Sequence, residues 1–204
     1  MKSWNRSTRF FVFSFFLFCV AFSLLSAKDT PLEKAVFAGG CFWCVQHDFD
    51  QISGVISTIA GYTGGDEVNP TYEQVASGTT GHVQAVLVSY DPEKVSYERL
   101  LTVFWHNVDP TRDDGQFCDL GKQYRPVIFC ENTNQKRLAE KSKEELLKEG
   151  KMKRVLVEIL PAKTFYPAEE YYQEYYRKNP DKYKVYRFNC GRDRRLEEIW
   201  DKKS

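Results

Sequence analysis

KAVFAGGCFWC, residues 34–44, is the stretch that sets how the chain is read. Its first five residues are a short apolar run, which predicts a strand. Gly39-Gly40 then predicts a turn. Beyond the turn Val45, Phe49 and Ile52 recur at helical spacing, so a helix is expected over 41–51. The unit is strand, turn, helix, with Cys41 at the helix N-terminus.

Outward from this unit, strands and helices keep alternating. Strands are expected over 55–60, 83–88, 127–129 and 155–160. Ser96 is a cap for a helix carrying Leu100, Leu101, Phe104 and Trp105. A charged amphipathic helix is expected over 132–149, stopped by Gly150, and a tyrosine-rich helix from Pro167 to Asn179-Pro180. From Asp181 the sequence reads as a mobile basic and aromatic tail containing Cys190. Two polar loops, 61–81 and 109–124, exceed what a passive connection needs and are expected to carry a site. The chain is long enough for one domain with a substantial core. The fold class is α+β, a mixed sheet covered by helices.

The N-terminus has a different character. Lys2, Arg6 and Arg9 precede the apolar run Phe10 to Leu25, and Ser26-Ala27 offers a cleavage point. The run falls short of the roughly 20 residues a spanning helix needs. Residues 1–27 are therefore expected to be a signal peptide, with an uncleaved anchor as the alternative, and 28–204 to be the catalytic domain. Export to the periplasm or medium follows. Removing the three positive charges takes the formal charge from +1 to about −2. With lysines and acids interleaved, nothing forms a basic field, and nucleic-acid binding is excluded. A monomer is expected.

Five cysteines remain in the mature chain: Cys41, Cys44, Cys118, Cys130 and Cys190. An odd number in an exported protein implies at least one free or reactive thiol. A zinc site would need a second tight pair, and Cys118, Cys130 and Cys190 are isolated. No metal is expected. His47, His82 and His106 lack ligand spacing, and Cys130 sits in a strand pattern. Two readings of Cys-x-x-Cys stay open on spacing alone. One is a thiol–disulfide couple of Cys41 and Cys44 at a helix N-terminus, where amides and dipole favour a thiolate. The other is a nucleophilic Cys41 whose neighbours Phe42 and Trp43 wall an apolar pocket.

The rest of the chain separates them. GGCFWC, GYTGG (61–65), NPTY (69–72), SGTTGH (77–82), YDP (90–92), FW followed by DP (104–110), QYR (123–125) and FYPAEEYYQEYY (165–176) occur in order. Over about 34–192 this resembles the type A peptide methionine sulfoxide reductases. The resemblance implies a two-layer α/β sandwich with a mixed, ferredoxin-like sheet in a single domain. It also implies reduction of methionine S-sulfoxide, free or in proteins, with no bound cofactor. Cys41 would take the oxygen as a sulfenic acid. A second cysteine would condense with it, and an external thioredoxin-like dithiol would reduce the disulfide. Phe42 and Trp43 would hold the substrate methyl group. Tyr72 and Tyr124 would bond the sulfoxide oxygen, and Asp119 matches an acidic active-site residue. The resolving candidates are ranked Cys190, Cys118, Cys44. The alternatives are a general thiol–disulfide oxidoreductase using Cys41 and Cys44, and a binding module that holds oxidised methionine without reducing it.

Physical chemistry says what such a site must supply. Lowering a thiol pKa from about 8.5 to about 7 raises the thiolate fraction at pH 7 about 16-fold, while intrinsic nucleophilicity falls about 5-fold. The net is about 3-fold, so donors to the sulfoxide oxygen matter more. Here the chain departs from the family pattern. Gln84 stands where many members have a Glu that is held to act as a proton-bearing donor. Gln keeps an N–H donor at every pH but delivers no proton. Gln46 also replaces a frequent Glu, and Tyr172 stands where His is common. His82, inside a matched motif, reads as loop-shaping or catalytic alike.

Overall fold

The computed structural model describes residues 31–148 and 152–200. The signal segment, Cys19 and the Gly150 stop lie outside the described residues. In chain order the elements begin with β1 (Glu33–Ala38), α1 (Phe42–Asp50), β2 (Val55–Thr63), α2 (Tyr72–Ala76), β3 (Val83–Tyr90) and α3 (Tyr97–His106). A small hairpin follows, β4 (Gly115–Gln116) and β5 (Asp119–Leu120), then β6 (Val127–Cys130), α4 (Thr133–Lys148), β7 (Glu158–Pro161) and β8 (Tyr166–Pro167). Three helices close the chain: α5 (Tyr175–Lys178), α6 (Pro180–Cys190) and α7 (Arg192–Trp200).

The main sheet runs β7-β6-β1-β3-β2-β8. Neighbours among its central four strands pair antiparallel and β7 is parallel to β6, so the sheet is mixed. A strand–helix–strand–strand–helix–strand order folded as β6-β1-β3-β2 is the ferredoxin-like arrangement the resemblance implied.

Alternation along β1 assigns its two faces. Ala35 and Phe37 join the large core with Phe42, Val45 and Phe49 of α1 and Leu100, Leu101 and Phe104 of α3. Val36 and Ala38 face the other way, with Val83, Ala85, Val127 and Phe129. Phe37 is the centre of the core, its ring stacked on Phe49 at 4.8 Å and on Phe104 at 5.4 Å. The turn between β1 and α1 needs its glycines. Gly40 has φ +92°, and a Cβ there would come 2.8 Å from Cβ of Gln116; one on Gly39 would come 2.9 Å from Cγ1 of Val108. Close packing against the 108–116 segment thus fixes where Cys41 begins its helix.

Three expectations need correction. The tyrosine-rich stretch is not one helix but a two-residue strand, a 3-10 turn over Glu170–Tyr172 and the single turn α5. Gln173 is the reason: its amide oxygen accepts from Ala60 N–H and its nitrogen donates to the carbonyls of Ala60 and Ala168, pinning the segment to the sheet edge. Glu174 then adopts a left-handed conformation, φ 49°, which no α-helix continues through. The tail is not mobile but forms α6 and α7. Pro180 opens α6, and Gly191 at φ 68° ends it. The strand expected over 155–160, β7, begins at Glu158 rather than 155, with Val155 and Val157 buried ahead of it.

Candidate active site

Cys41 is the N-cap of α1, and its side chain does not cap the helix. Instead Phe42 N–H donates to Oε1 of Gln84, 3.1 Å away on β3, and Trp43 N–H is directed at the Cys41 sulfur. Gln84 lies on the same face of β3 as Val86 and Val88, so strand periodicity aims it at the helix start. Its amide nitrogen has no hydrogen-bond partner among the described residues.

Two aromatic layers enclose this turn. Below, the Phe42 ring is fully buried and sits 5.9–6.2 Å from the rings of Tyr62, Tyr72 and Tyr172. Tyr72 and Tyr172 stack at 4.1 Å, so the tyrosine at the common histidine position serves as a platform. Glu169 ties the layer together, accepting from Tyr62 O–H at 2.8 Å and Tyr72 N–H at 2.9 Å. Above, Trp43 stacks on Tyr175 at 3.9 Å and meets the edge of Tyr186 at 5.4 Å.

The polar side of the site comes from the 109–124 segment. Gln116, fully buried, accepts from Asp109 N–H at 2.7 Å and donates to its carbonyl at 2.9 Å. This holds the β4–β5 hairpin so that Asp119 faces Cys41. Tyr186 O–H donates to Oδ2 of Asp119 at 2.5 Å, and the side chain lies beside the Cys41 thiol. Burial raises the Asp119 carboxyl above its ordinary value despite Tyr186 and Arg192. Tyr124, beside Asp119 and Cys41, is pushed up to about 12, first by burial. Tyr72 moves the same way, by burial and then Tyr124 and Cys41. Both phenols hold their protons at neutral pH, and neither hydroxyl has a partner among the described residues.

Cys41 itself differs from the expectation of a lowered pKa. It is 7 % exposed, and burial, reinforced by Cys44 and Asp119, pushes its thiol well above the ordinary value; the neighbouring Tyr186 hydroxyl and Trp43 N–H do not offset this. The helix N-terminus is present, but desolvation outweighs it in this enclosed state.

The resolving candidates separate clearly. Cys118 and Cys190 form a disulfide with each other, across 72 residues of sequence, while Cys41, Cys44 and Cys130 are free and buried. Cys44 is packed under Tyr175 and Tyr183, and Cys130 is part of the main core. His82 shapes the loop, its two ring nitrogens bonded to Gly65 N–H and the Glu67 carbonyl. Cys118, Asp119 and Cys190 converge as ligands would, but a disulfide offers a metal no thiolate.

Sequence reasoning thus placed Cys41, Phe42, Trp43, Tyr72, Gln84, Asp119 and Tyr124 in one site, and they do converge. It missed Tyr62, Glu169, Tyr175 and Tyr186. The first three lie inside quoted motifs. Tyr186 had its own signal: Tyr183, Tyr186 and Cys190 share a helical face between Pro180 and Gly191.

Comparison with known proteins agrees with this geometry. The family model for peptide methionine sulfoxide reductase matches residues 33–204. The chain is 52 % identical over 175 residues to peptide methionine sulfoxide reductase MsrA of Halalkalibacterium halodurans, covering 85 % of this chain and 99 % of that one. Among solved structures it is similar to Mxr1 of Saccharomyces cerevisiae in reduced form, with TM-score 0.69 and 31 % identity over 74 % of this chain and 87 % of that one. It shares the fold of Mxr1 in complex with Trx2, with TM-score 0.51 and 22 % identity over 75 % and 91 %. The chain belongs to the peptide methionine sulfoxide reductase family and is a thiol-dependent reductase of methionine sulfoxide.

Proposed function

We propose that Cys41 is the nucleophile and that its oxidation is passed on to the Cys118–Cys190 pair. The observation that carries this reading is a free Cys41 thiol beside a completed disulfide between two other cysteines. The Cys41 sulfur attacks the sulfoxide sulfur, the protonated oxygen passes from that sulfur to Cys41 as the S–O and transient S–S bonds break, and methionine leaves as the thioether with Cys41 as a sulfenic acid. Cys190 lies four residues along α6 from the Tyr186 beside Cys41. Its thiol displaces water to give a Cys41–Cys190 disulfide. Cys118 then attacks the Cys190 sulfur, forming Cys118–Cys190 and returning Cys41 to the thiol. One sulfoxide and two thiols become one thioether, one disulfide and one water.

Tyr72 and Tyr124 supply protonated phenols for the sulfoxide oxygen as it gains charge, the kind of donor worth about 10²-fold or more. Asp119, beside Cys41 and Tyr124, is placed to relay a proton to that oxygen. Phe42 and Trp43 wall the methyl pocket. The exposed Cys118 offers the finished disulfide to an external dithiol, and a thioredoxin-like protein fits, as Trx2 binds Mxr1. The enzyme acts as a monomer after export through the 1–27 segment, into the periplasm or medium, where that dithiol must be supplied locally. The family match begins at residue 33, downstream of the apolar run.

The test uses the two sulfoxide epimers of N-acetyl-methionine, with dithiothreitol as reductant. The wild type turns over the S epimer alone, and Cys41→Ser abolishes turnover. Residual turnover by Cys41→Ser would remove Cys41 from the mechanism.

A further inference from the structure

We propose that Tyr186 is a redox-controlled plug: while Cys118 and Cys190 are paired, its ring and hydroxyl occupy the substrate's place on Trp43, Asp119 and Cys41, and reduction of the disulfide frees the site. The inference rests on the reading of Cys41 as the nucleophile.

The geometry is that of a ligand already bound. A reacting sulfoxide must bring its sulfur to about 3–3.5 Å from the Cys41 sulfur. Cys41 is almost fully enclosed, and Tyr186 lies beside it. The Tyr186 hydroxyl occupies Asp119 at 2.5 Å. Its ring meets Trp43 in a T-shaped contact at 5.4 Å, where an apolar methyl would be held. One side chain therefore blocks nucleophile, acid and pocket together.

The latch is built into the same helix. Tyr186 and Cys190 are four residues apart, so they share one face of α6. Their partners, Asp119 and Cys118, are adjacent residues of the β5 hairpin. Cys118 N–H also points at the Cys190 sulfur, 3.2 Å away. Plug and disulfide are two rungs of one contact. Apart from the disulfide and Tyr186 itself, α6 is anchored by Tyr183, packed with Cys44, and by Arg187, paired with Asp48 at 2.9 Å. Tyr183 is its one buried residue, and Val185 and Phe188 are 60 % and 84 % exposed. Cutting the covalent tie leaves Tyr183 and Arg187 as anchors, about which the Cys190 end of α6, with few buried apolar contacts, opens locally. A dithiol reductant cuts the tie, giving two electrons and two protons to the Cys118–Cys190 bond and becoming a disulfide itself.

Such a plug has a chemical purpose. If oxidised enzyme met another sulfoxide, Cys41 would become a sulfenic acid with Cys118 and Cys190 already paired and unable to condense with it. Further oxidation to sulfinic acid would then be irreversible.

Alkylation of Cys41 in the full chain tests the plug without relying on turnover. Iodoacetamide is applied at one pH to oxidised and dithiothreitol-reduced protein, and Cys41 modification is followed by tandem mass spectrometry. A plug closed about 90 % of the time slows Cys41 alkylation about tenfold in the oxidised wild type relative to the reduced. Oxidised Tyr186→Ala is expected to react at close to the reduced rate. The Cys118→Ser/Cys190→Ser double variant, which keeps Tyr186, is expected to react at that rate under both conditions. Equal rates in the two wild-type forms would overturn the proposal, as would protection that survives in either variant. Failure of the nucleophile reading shows elsewhere, as sulfoxide turnover that survives Cys41→Ser.

Discussion

Gln84 spends its carbonyl oxygen on Phe42 N–H, which leaves its NH₂ group as a donor that no pH change removes. A carboxylic acid in its place would donate only while protonated, and that donation would be lost as pH rises through its pKa. Gln84→Glu is therefore expected to lower kcat/KM with rising pH by up to about 10²-fold, a fall absent from the wild type. A pH profile of S-epimer reduction checks this, and identical profiles would remove Gln84 from the site's chemistry. The two tyrosines make a different prediction. The Tyr72 and Tyr124 hydroxyls support no protein contact among the described residues, so Tyr72→Phe and Tyr124→Phe should each cost about 10²-fold in kcat/KM and leave Tm almost unchanged. A loss of stability equal to the loss of activity would make them structural. Most of the site was legible at this scale, because a motif names its residues whether or not their contacts are known. Tyr186 had only the signal of its helical face, since its role depends on where α6 docks.

At the scale of elements, the closing helices are held to α1 by charge. Asp48 pairs with Arg187 at 2.9 Å and with Arg192 at 3.4 Å. Arg192 is 2 % exposed and also reaches the carbonyls of Gly39 and Asn107. Burial alone would raise the Asp48 carboxyl, but His47, Arg192 and Arg187 outweigh it and hold it below the ordinary value. The folded state thus binds fewer protons than the unfolded chain near that pH. The contribution is fully present above the ordinary Asp pKa of about 4 and is lost as pH falls through the lowered value. Asp48→Ala leaves a buried guanidinium without its counter-charge, and a loss of about 3–5 kcal/mol is expected at neutral pH in urea denaturation. The difference between variant and wild type should shrink in acid; a constant difference would contradict the linkage. The tail's helices had local signals in Pro180 and Gly191. Its charge-dense composition concealed them, because the arginine it buries is compensated by a residue more than a hundred positions away.

For the whole molecule, one covalent tie joins the last helices to the middle of the chain. Closing a loop of 72 residues removes unfolded-chain entropy worth about 4 kcal/mol. Reduction should accordingly lower Tm by up to about 10 °C, and the Cys118→Ser/Cys190→Ser variant should show the lower value in either buffer. Calorimetry with and without dithiothreitol measures both, and an unchanged Tm would mean that the tie constrains little. The enzyme that stores its oxidation in this disulfide is then the more stable form, and the reduced form the more open one.

The sequence by itself determined the core and the chemistry. Alternation in β1 and β3, helical spacing in α1 and α3 and the glycine turn between them are local patterns, and each dictates which face a side chain takes. The motifs around Cys41 determined the reaction in the same local way. Tertiary structure alone decided which cysteines pair, that desolvation outweighs the helix N-terminus at Cys41, and that Tyr186 sits in the substrate's place. These outcomes are set by the distance between groups far apart in the chain. Pairing, desolvation and steric exclusion all depend on such distances, and a sequence read locally does not contain them.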